Sequence, residues 1–269
     1  MLIITKLNKS FGKTHAVNEV SLKIPAGEMV GIIGSSGAGK STLLRLINRL
    51  IDADNGSITY ENEEITALKG LKLRTWRRRC AMIFQQFNLV NRLDVLSNVL
   101  VGRLCFHSTL RTLVKIFSQK EKAMAIYALD QLDMTPRALQ RADTLSGGQQ
   151  QRVAIARALV QEPDLILADE PIASLDPHNA KKVMRSLRKL NREHHITVIC
   201  SLHHLDSAKT YCDRIIGMSM GKVVFDGPPN ELTLEIIKTI YGENVEKEEL
   251  EAALGSSMEE ARAKEKSLK

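Results

Sequence analysis

Nine consecutive residues have the types and spacing needed to hold the phosphates of a nucleoside triphosphate. Their sequence, GSSGAGKST, satisfies the phosphate-loop pattern G-x-x-x-x-G-K-[ST] at every required position. Glycines let backbone N–H groups wrap closely around phosphate oxygens at the positive end of a following helix. Lys40 would reach the β- and γ-phosphates, and the Ser41 hydroxyl would bind Mg²⁺. The residues of this phosphate loop are Gly34, Ser35, Ser36, Gly37, Ala38, Gly39, Lys40, Ser41 and Thr42.

Two adjacent carboxylates, Asp169 and Glu170, follow the short apolar run Leu165–Ala168. Such a run is typical of a buried parallel strand, and open α/β sheets bind ligands at the carboxyl ends of their strands. Asp169 could order Mg²⁺ through water, and Glu170 could accept a proton from an attacking water. Adjacent acids on a loop are usually only solvated, but their position after a phosphate loop favours a chemical role.

Three weaker features follow the same order along the chain. His203 and His204 come just after the apolar run Ile196–Cys200, and a histidine there could bind a γ-phosphate. Gln85 follows another apolar run and could sense metal and attacking water. The segment Ser146–Gln149 is a small turn before a helical pattern, and so a possible second anion-binding helix start. Each of these features alone has an ordinary explanation as a surface residue, a cap or a loop.

The elements that must position these residues can be predicted from local patterns. Met29–Ile33 is an apolar strand that enters the phosphate loop, and Leu43–Ile47 begins a helix that leaves it. Residues 1–7 alternate as a strand does and lack the features of a signal peptide. A chain of 269 residues with 43% hydrophobic residues can bury a sizeable core. It has no apolar run long enough to cross a bilayer.

Charge and cysteine content limit the choice of partners. The formal net charge is +7, and much of the excess lies between Lys69 and Arg79, which hold six basic residues and no acid. This basic run is either a solvated helix face or a contact with lipid head groups or a partner. One Trp and 4% aromatic residues offer few stacking platforms for single-stranded nucleic acid. The four cysteines form no C-x-x-C pair, which favours reduced structural thiols in a cytosol.

Taken in order, these motifs resemble the ATP-binding cassette (ABC) family of transporter ATPases from about Leu2 to Gly242. The resemblance implies that ATP and Mg²⁺ bind the phosphate loop, that Asp169 orders the metal and that Glu170 is the catalytic base. It also implies that Gln85 is the Q-loop glutamine, which takes part in catalysis and metal binding. His203, rather than His204, would be the switch histidine. The remaining residues implied to contact ATP are Phe11, Ser146, Gly147, Gly148, Gln149 and Asp176. Phe11 would stack on adenine, unless it packs in the core instead.

The same resemblance implies an architecture and a set of partners. The fold would be a P-loop α/β ATPase core with an N-terminal antiparallel β subdomain and a helical subdomain inserted at about residues 88–143. Within this insert, residues 118–122 look like a helix start that leads into residues 123–132. This ABC ATPase domain would end at residue 242, and the charged tail, 243–269, would be a frayed helix or disordered. Two copies would form a head-to-tail homodimer with ATP between them. The dimer would drive transmembrane permease subunits from the cytoplasmic face of the inner membrane, as a peripheral protein, and an extracytoplasmic binding protein would supply the solute.

A narrower resemblance, to phosphonate-import ATPase subunits, rests on residues 85–93, 98–104, 201–206, 226–229 and 240–242. Import of phosphite, phosphate esters or polar amino acids remains an alternative, because no residue of this chain would touch the solute. A soluble ABC ATPase that acts on ribosomes or DNA is a further alternative. It is less favoured because the chain has one phosphate loop, one signature and no long coiled coil between them, and no nucleic-acid partner is expected.

Overall fold

Two β-sheets and a group of helices make up the residues that this computed structural model describes, 1–107 and 117–242. The charged tail lies outside the described residues. The first sheet is antiparallel, with strand order β2-β1-β4-β5. Its strands are β1 (Leu2–Phe11), β2 (Thr14–Ile24), β4 (Asn55–Tyr60) and β5 (Glu63–Glu64). The predicted alternating strand at the N-terminus is therefore present as β1.

The second sheet has the strand order β10-β9-β3-β8-β7-β6. Neighbouring strands from β6 to β9 run parallel, and β10 pairs with β9 antiparallel. The strands are β3 (Met29–Ile33), β6 (Cys80–Ile83), β7 (Leu165–Asp169), β8 (Thr197–Ser201), β9 (Arg214–Ser219) and β10 (Lys222–Gly227). All residues of β3, β7 and β8 are buried, as expected for parallel strands covered on both faces.

Eight α-helices connect or cover these strands in the described residues. They are α1 (Lys40–Ile47), α2 (Gly70–Arg79), α3 (Val95–Leu100), α4 (Gln119–Asp130), α5 (Gly147–Leu159), α6 (Pro177–His194), α7 (Leu205–Tyr211) and α8 (Leu234–Tyr241). None of the helices described is long and apolar enough to cross a membrane.

The parallel sheet separates two apolar clusters. Strand β7 shows this directly, because Leu165 and Leu167 join one cluster while Ile166 and Ala168 join the other. The first cluster also contains β1, β2 and α1 residues, and the second contains residues of α3 to α8. Alternate side chains of one strand therefore anchor the antiparallel sheet and the helices on opposite faces.

The inserted helices pack as a group, with α3, α4 and α5 in mutual contact. Ser118 caps α4 by accepting the backbone N–H of Glu121, at the helix start that the sequence indicated. Helix α5 also contacts β6 and α6. It therefore links the helical group to the parallel sheet.

Arginines of the basic run in α2 are mostly used inside the fold. Arg74 donates to the backbone oxygens of Leu104 and His107, at 3.0 and 2.9 Å. Arg79 forms ion pairs with Glu61 and Asp164. Much of this charge therefore forms contacts within the protein. Neither of the two interpretations of the run, a solvated helix face or a contact with lipid head groups or a partner, included such contacts.

Four free cysteines are consistent with the structural role predicted for them. Cys80, Cys200 and Cys212 are buried, and burial raises the pKa of the Cys212 thiol to about 12. A thiol with such a pKa is rarely ionised at neutral pH and is a poor nucleophile.

Candidate functional site

The phosphate loop joins the buried strand β3 to α1 through glycines that have no room for a side chain. Gly39 has φ +103°, and a Cβ at this position would lie 2.1 Å from the backbone oxygen of Ala16. At Gly34 a Cβ would lie 2.3 Å from the backbone oxygen of Met218. The loop therefore passes between the antiparallel sheet and strand β9 at a spacing that only glycine permits.

Backbone hydrogen bonds hold the loop in this shape. The N–H of Ala38 donates to the Ser35 oxygen at 3.1 Å, within the loop. The N–H of Gly221, in the turn between β9 and β10, donates to the Ala38 oxygen at 3.1 Å. The turn that supports the loop thus comes from a distant part of the sequence.

A cavity of about 300 Å³ opens over this loop. Its lining includes Thr14, Ala16, Ser36, Gly37, Ala38, Gly39, Lys40, Ser41, Thr42 and Glu170. Most of the predicted phosphate-loop residues and the predicted base therefore face one space. Gly34 and Ser35 contribute differently, because their backbone oxygens accept hydrogen bonds from Lys40 Nζ at 2.6 and 3.0 Å.

Lys40 is the buried cation of the cavity. Burial lowers the pKa of its ammonium group, and the nearby carboxylates of Glu170 and Asp169 act in the opposite direction. Both acids thus favour the charged form of Lys40, whereas burial alone disfavours it. The arrangement places a positive charge where an anionic ligand would meet the loop.

Asp169 ends β7 and is buried beneath the cavity, where it collects several donors. Its Oδ1 accepts hydrogen bonds from the hydroxyls of Ser41, at 2.7 Å, and Ser201, at 2.9 Å. Arg45 lies 3.7 Å from its Oδ2. The carboxylate is therefore fixed in place, and it faces the Ser41 hydroxyl of the phosphate loop.

Glu170 follows in a left-handed backbone conformation, with φ +49°. Its N–H donates to the Ser201 hydroxyl at 2.8 Å, and its Oε1 lies 2.6 Å from His203 Nε2. His204 instead begins α7 and makes no side-chain cap. Of the two histidines, His203 is therefore the one that the structure brings to the predicted base.

The oxygen donors at the cavity suit Mg²⁺ better than they suit a metal that is bound by protein side chains alone. Ser41 and Asp169 supply a hydroxyl and a carboxylate oxygen side by side. No group of three or more His, Cys, Asp or Glu residues that could hold a metal occurs in the described part of the chain. Mg²⁺ is usually bound by one or two carboxylates together with water and substrate phosphates, so these two residues fit it.

Other predicted residues lie outside this cavity. Phe11 is 54% exposed at the end of β1, paired with Thr14 of the cavity wall, and so does not pack in the core. Gln85 is exposed in the loop after β6. Asp176 caps α6 by accepting the N–H groups of His178 and Asn179, and the hydrogen bonds from Asn179 are the main reason that its pKa is lowered.

The segment Ser146–Gln149, which we call the signature segment, lies at the start of α5 and also away from the phosphate loop's cavity. Gln149 Oε1 accepts the backbone N–H of Ser146 at 3.0 Å. A Cβ at Gly148 would lie 2.7 Å from Cγ of Asn179, whose side-chain nitrogen donates to Asp176 Oδ2 at 2.6 Å. Asn179 thus joins the signature segment to Asp176, and the two predicted ATP contacts are neighbours of each other rather than of Lys40.

A second cavity, of about 570 Å³, lies between α4 and the ends of α5 and α6. Its lining is mainly apolar and includes Met124, Tyr127, Leu159 and Ile196. Although it is larger, it contains none of the predicted catalytic residues. Size alone therefore does not identify the functional site in this fold.

Ser201 and Arg45 are the contacts to Asp169 that sequence reasoning missed. Ser201 follows an apolar strand and reads as an ordinary strand end. Arg45 lies four residues after Ser41 on α1, a spacing that puts both on one helix face. That spacing was the available signal for Arg45, whereas only the pairing of β7 with β8 brings Ser201 beside Asp169.

Comparison with known proteins gives a consistent family. The model of the family described as ABC transporter matches residues 17–173. The chain is 59% identical over 241 residues to the phosphonates import ATP-binding protein PhnC of Rhodopseudomonas palustris (strain BisB5), covering 90% of this chain and 89% of that protein. It is 60% identical over 239 residues to the protein of the same name from Agrobacterium fabrum, covering 89% and 84%.

Solved structures with this fold include two ATP-binding cassettes. One, described as the ADP conformation of an ABC transporter cassette, has a TM-score of 0.78 and 29% identity, covering 95% of this chain and 98% of that chain. Another, described as a dimer in a post-hydrolysis state bound to ADP and Pi, has a TM-score of 0.75 and 34% identity, covering 85% and 99%. The predicted fold class is confirmed by these likenesses.

Proposed function

The chain belongs to the ABC transporter family, and from that membership we propose that it is the ATP-hydrolysing subunit of an importer of phosphonates. The single observation that carries the ATPase part is the meeting of Glu170 and His203, 2.6 Å apart, at the cavity above the phosphate loop. The phosphonate part is supported by the names of relatives about 59% identical over nearly the whole chain. The solute itself would be selected by other subunits.

The phosphate loop would bind ATP through its backbone N–H groups and the Lys40 ammonium. Lys40 would exchange its bonds to the loop's own carbonyl oxygens for the β- and γ-phosphates. Phe11, on the hairpin beside Thr14, offers an exposed ring for the adenine base. Mg²⁺ would be held by Ser41, by Asp169 and, once its loop moves in, by Gln85, and when bound it would neutralise charge on the phosphates.

Glu170 would orient or deprotonate the attacking water. The Ser201 hydroxyl holds its backbone N–H, so the carboxylate is presented from a fixed position. His203 Nε2 lies at the same carboxylate and would fix the γ-phosphate and report its presence to Glu170. The protein supplies positioning and charge, as in other phosphoryl transfers.

Two copies would be needed for a complete site. The signature segment and Asp176 lie together but do not line the cavity of their own chain. In a head-to-tail homodimer, Ser146, Gly147, Gly148 and Gln149 of one copy would close the ATP site of the other. A related cassette is described as dimeric in its post-hydrolysis state.

The partners would be transmembrane permease subunits and, through them, an extracytoplasmic substrate-binding protein. The ATPase would act as a peripheral protein on the cytoplasmic face of the inner membrane. No nucleic-acid partner is proposed, since Arg74 and Arg79 of the basic run already contact the protein itself.

Uptake of labelled methylphosphonate tests this proposal. Cells whose only copy of the protein is wild type or Glu170→Gln are compared, with phosphate, phosphite and amino acids as competitors. We expect uptake to collapse in the variant and only phosphonates to compete. If Glu170→Gln abolishes uptake but phosphite or amino acids compete in wild-type cells, the proposed solute would be wrong and the proposed ATPase activity would stand. Unchanged uptake would contradict the proposal of phosphonate import.

A further inference from the structure

The loop that carries Gln85 contains two strained residues. Phe87 and Asn88 both have φ +50°, in the left-handed region that non-glycine residues enter at an energetic cost. Such conformations persist only where the surrounding structure holds them, and they are concentrated at functional sites. The contacts that hold this turn therefore show what the loop is attached to.

Arg157, near the end of α5, supplies those contacts. Its Nη1 donates to the backbone oxygen of Asn88 at 2.6 Å, and its Nη2 donates to that of Phe87 at 2.7 Å. At the other end of α5, a Cβ on Gly147 would lie 3.7 Å from Cζ of Phe87. The strained turn thus lies along the helix that begins with the signature segment: Arg157 holds its two backbone oxygens, and the Phe87 ring lies near Gly147 at the start of the helix.

The electrostatics of Arg157 indicate a role other than an ion pair. Burial lowers the pKa of its guanidinium group. Among residues 1–107 and 117–242, no carboxylate forms a salt bridge with it, so two carbonyl dipoles balance its charge. A half-buried cation with only this pairing is costly. Leucine or methionine would cover the same apolar surface without that cost.

We propose that Arg157 is a positioning residue that fixes the Gln85 loop to the signature helix, so that the two segments move as one unit. Gln85 stands two residues before Phe87 and is exposed outside the cavity, so it must move to reach a bound nucleotide and its metal. The helical group carries α5, and through Arg157 the movement of this group carries Gln85. The inference rests on the proposed function, because the roles of Gln85 and the signature belong to it.

The test uses the full-length chain with Arg157→Met, and Arg185→Met on the exposed face of α6 as a matched control. Three quantities are measured: the melting temperature, binding of a fluorescent ATP analogue without Mg²⁺, and ATPase rate against Mg²⁺ concentration. We expect Arg157→Met to lower kcat about tenfold and to raise the half-saturating Mg²⁺ concentration several-fold. Metal-free nucleotide binding should stay unchanged, because the phosphate loop is intact.

A second substitution separates positioning from general stability. Glycine adopts the left-handed conformation freely, so Asn88→Gly should keep the turn without the arginine. We expect Asn88→Gly alone to resemble wild type. Arg157→Met/Asn88→Gly should keep most of the defect in rate and Mg²⁺ affinity of Arg157→Met, because the glycine relieves the strain of the turn but does not attach it to the helix. Arg157→Lys, which keeps one donor, should be intermediate, and it carries the test if Arg157→Met does not fold.

Wild-type Mg²⁺ dependence in the arginine variants would overturn the inference, as would a lower melting temperature with no change in that dependence. Full recovery in the double variant would do the same, since it would show that the arginine only stabilises the turn. The proposed function fails separately: its failure would appear as a wild-type ATPase rate that Glu170→Gln leaves unchanged.

Discussion

The Ser201 hydroxyl donates to Asp169 Oδ1 at 2.9 Å, and the serine oxygen accepts the backbone N–H of Glu170 at 2.8 Å. One fully buried serine at the end of β8 therefore orients both acids at the end of β7. This hydroxyl holds Asp169 by its carboxylate and Glu170 by its backbone.

Ser201→Ala should lower the ATPase rate about tenfold, because Asp169 loses a donor and the buried N–H of Glu170 is left without its acceptor, at a cost of about 1–3 kcal/mol. Ser201→Cys, which keeps the size and a weak donor, should retain more of the rate. Steady-state ATPase assays at saturating ATP measure this. A wild-type rate in Ser201→Ala would show that the serine does not position the acids.

Glu170→Gln should abolish hydrolysis, by at least about 100-fold, while leaving ATP binding intact, because the amide cannot accept the proton of the attacking water. We expect an ATP-bound dimer to accumulate, visible as a doubled mass in light scattering. The exposed Glu63→Gln serves as the control. If Glu170→Gln stays monomeric with ATP, the composite site of two copies is wrong.

Gly39→Ala should weaken binding of an ATP analogue by at least about tenfold, because its Cβ would lie 2.1 Å from the Ala16 oxygen. At Gly37 a Cβ would meet nothing within 4 Å, and only the left-handed φ of +80° opposes alanine. Gly37→Ala should therefore cost only the roughly 1 kcal/mol that a left-handed backbone conformation costs alanine. Titration of both variants with the analogue compares them, and equal affinities would argue against the close approach to β2.

Glu121 predicts a loss of stability in acid. Burial would raise the pKa of this carboxyl, but hydrogen bonds from Ser118 and His107 lower it from 4.5 to about 2. Because the folded pKa lies below the unfolded value, the contribution is fully present above about pH 4.5 and is lost as the pH falls towards 2. The melting temperature of Glu121→Gln should be several degrees below wild type at neutral pH.

That gap should narrow as the pH falls below about 4.5, where the Glu121 carboxyl takes up a proton in the unfolded chain but not yet in the folded one. Thermal melts from about pH 7 to about pH 3 follow the difference between the two proteins. Glu63→Gln, on exposed β5, should match wild type throughout. A gap for Glu121→Gln that stays constant with pH would contradict the lowered pKa.

The features predictable from sequence are those set by short stretches of chain. Strands β3, β7 and β8 are continuous apolar runs, and the phosphate loop is a contiguous motif, so local patterns were sufficient for both. The start of α4 at Ser118 followed from the residues at its own N-terminus. The family resemblance added the order of the motifs and the helical insertion.

Contacts between distant segments were not predictable in this way. Ser201 reaches Asp169 only because β8 pairs with β7. Arg157 reaches the Gln85 loop across about 70 residues, and no local pattern distinguishes it from other helical arginines. The internal contacts of the basic run were missed for a similar reason, since the acceptors of Arg74 lie about 30 residues away.

The phosphate loop is also in contact with both sheets. It is wedged between the Ala16 carbonyl of the antiparallel sheet and the turn at Gly221 between β9 and β10. Any sliding of one sheet over the other would change the spacing of the amide groups in the loop. The affinity of the loop for an anion therefore depends on how the two sheets pack. Substitutions at the interface of the sheets can change nucleotide binding without contacting the nucleotide.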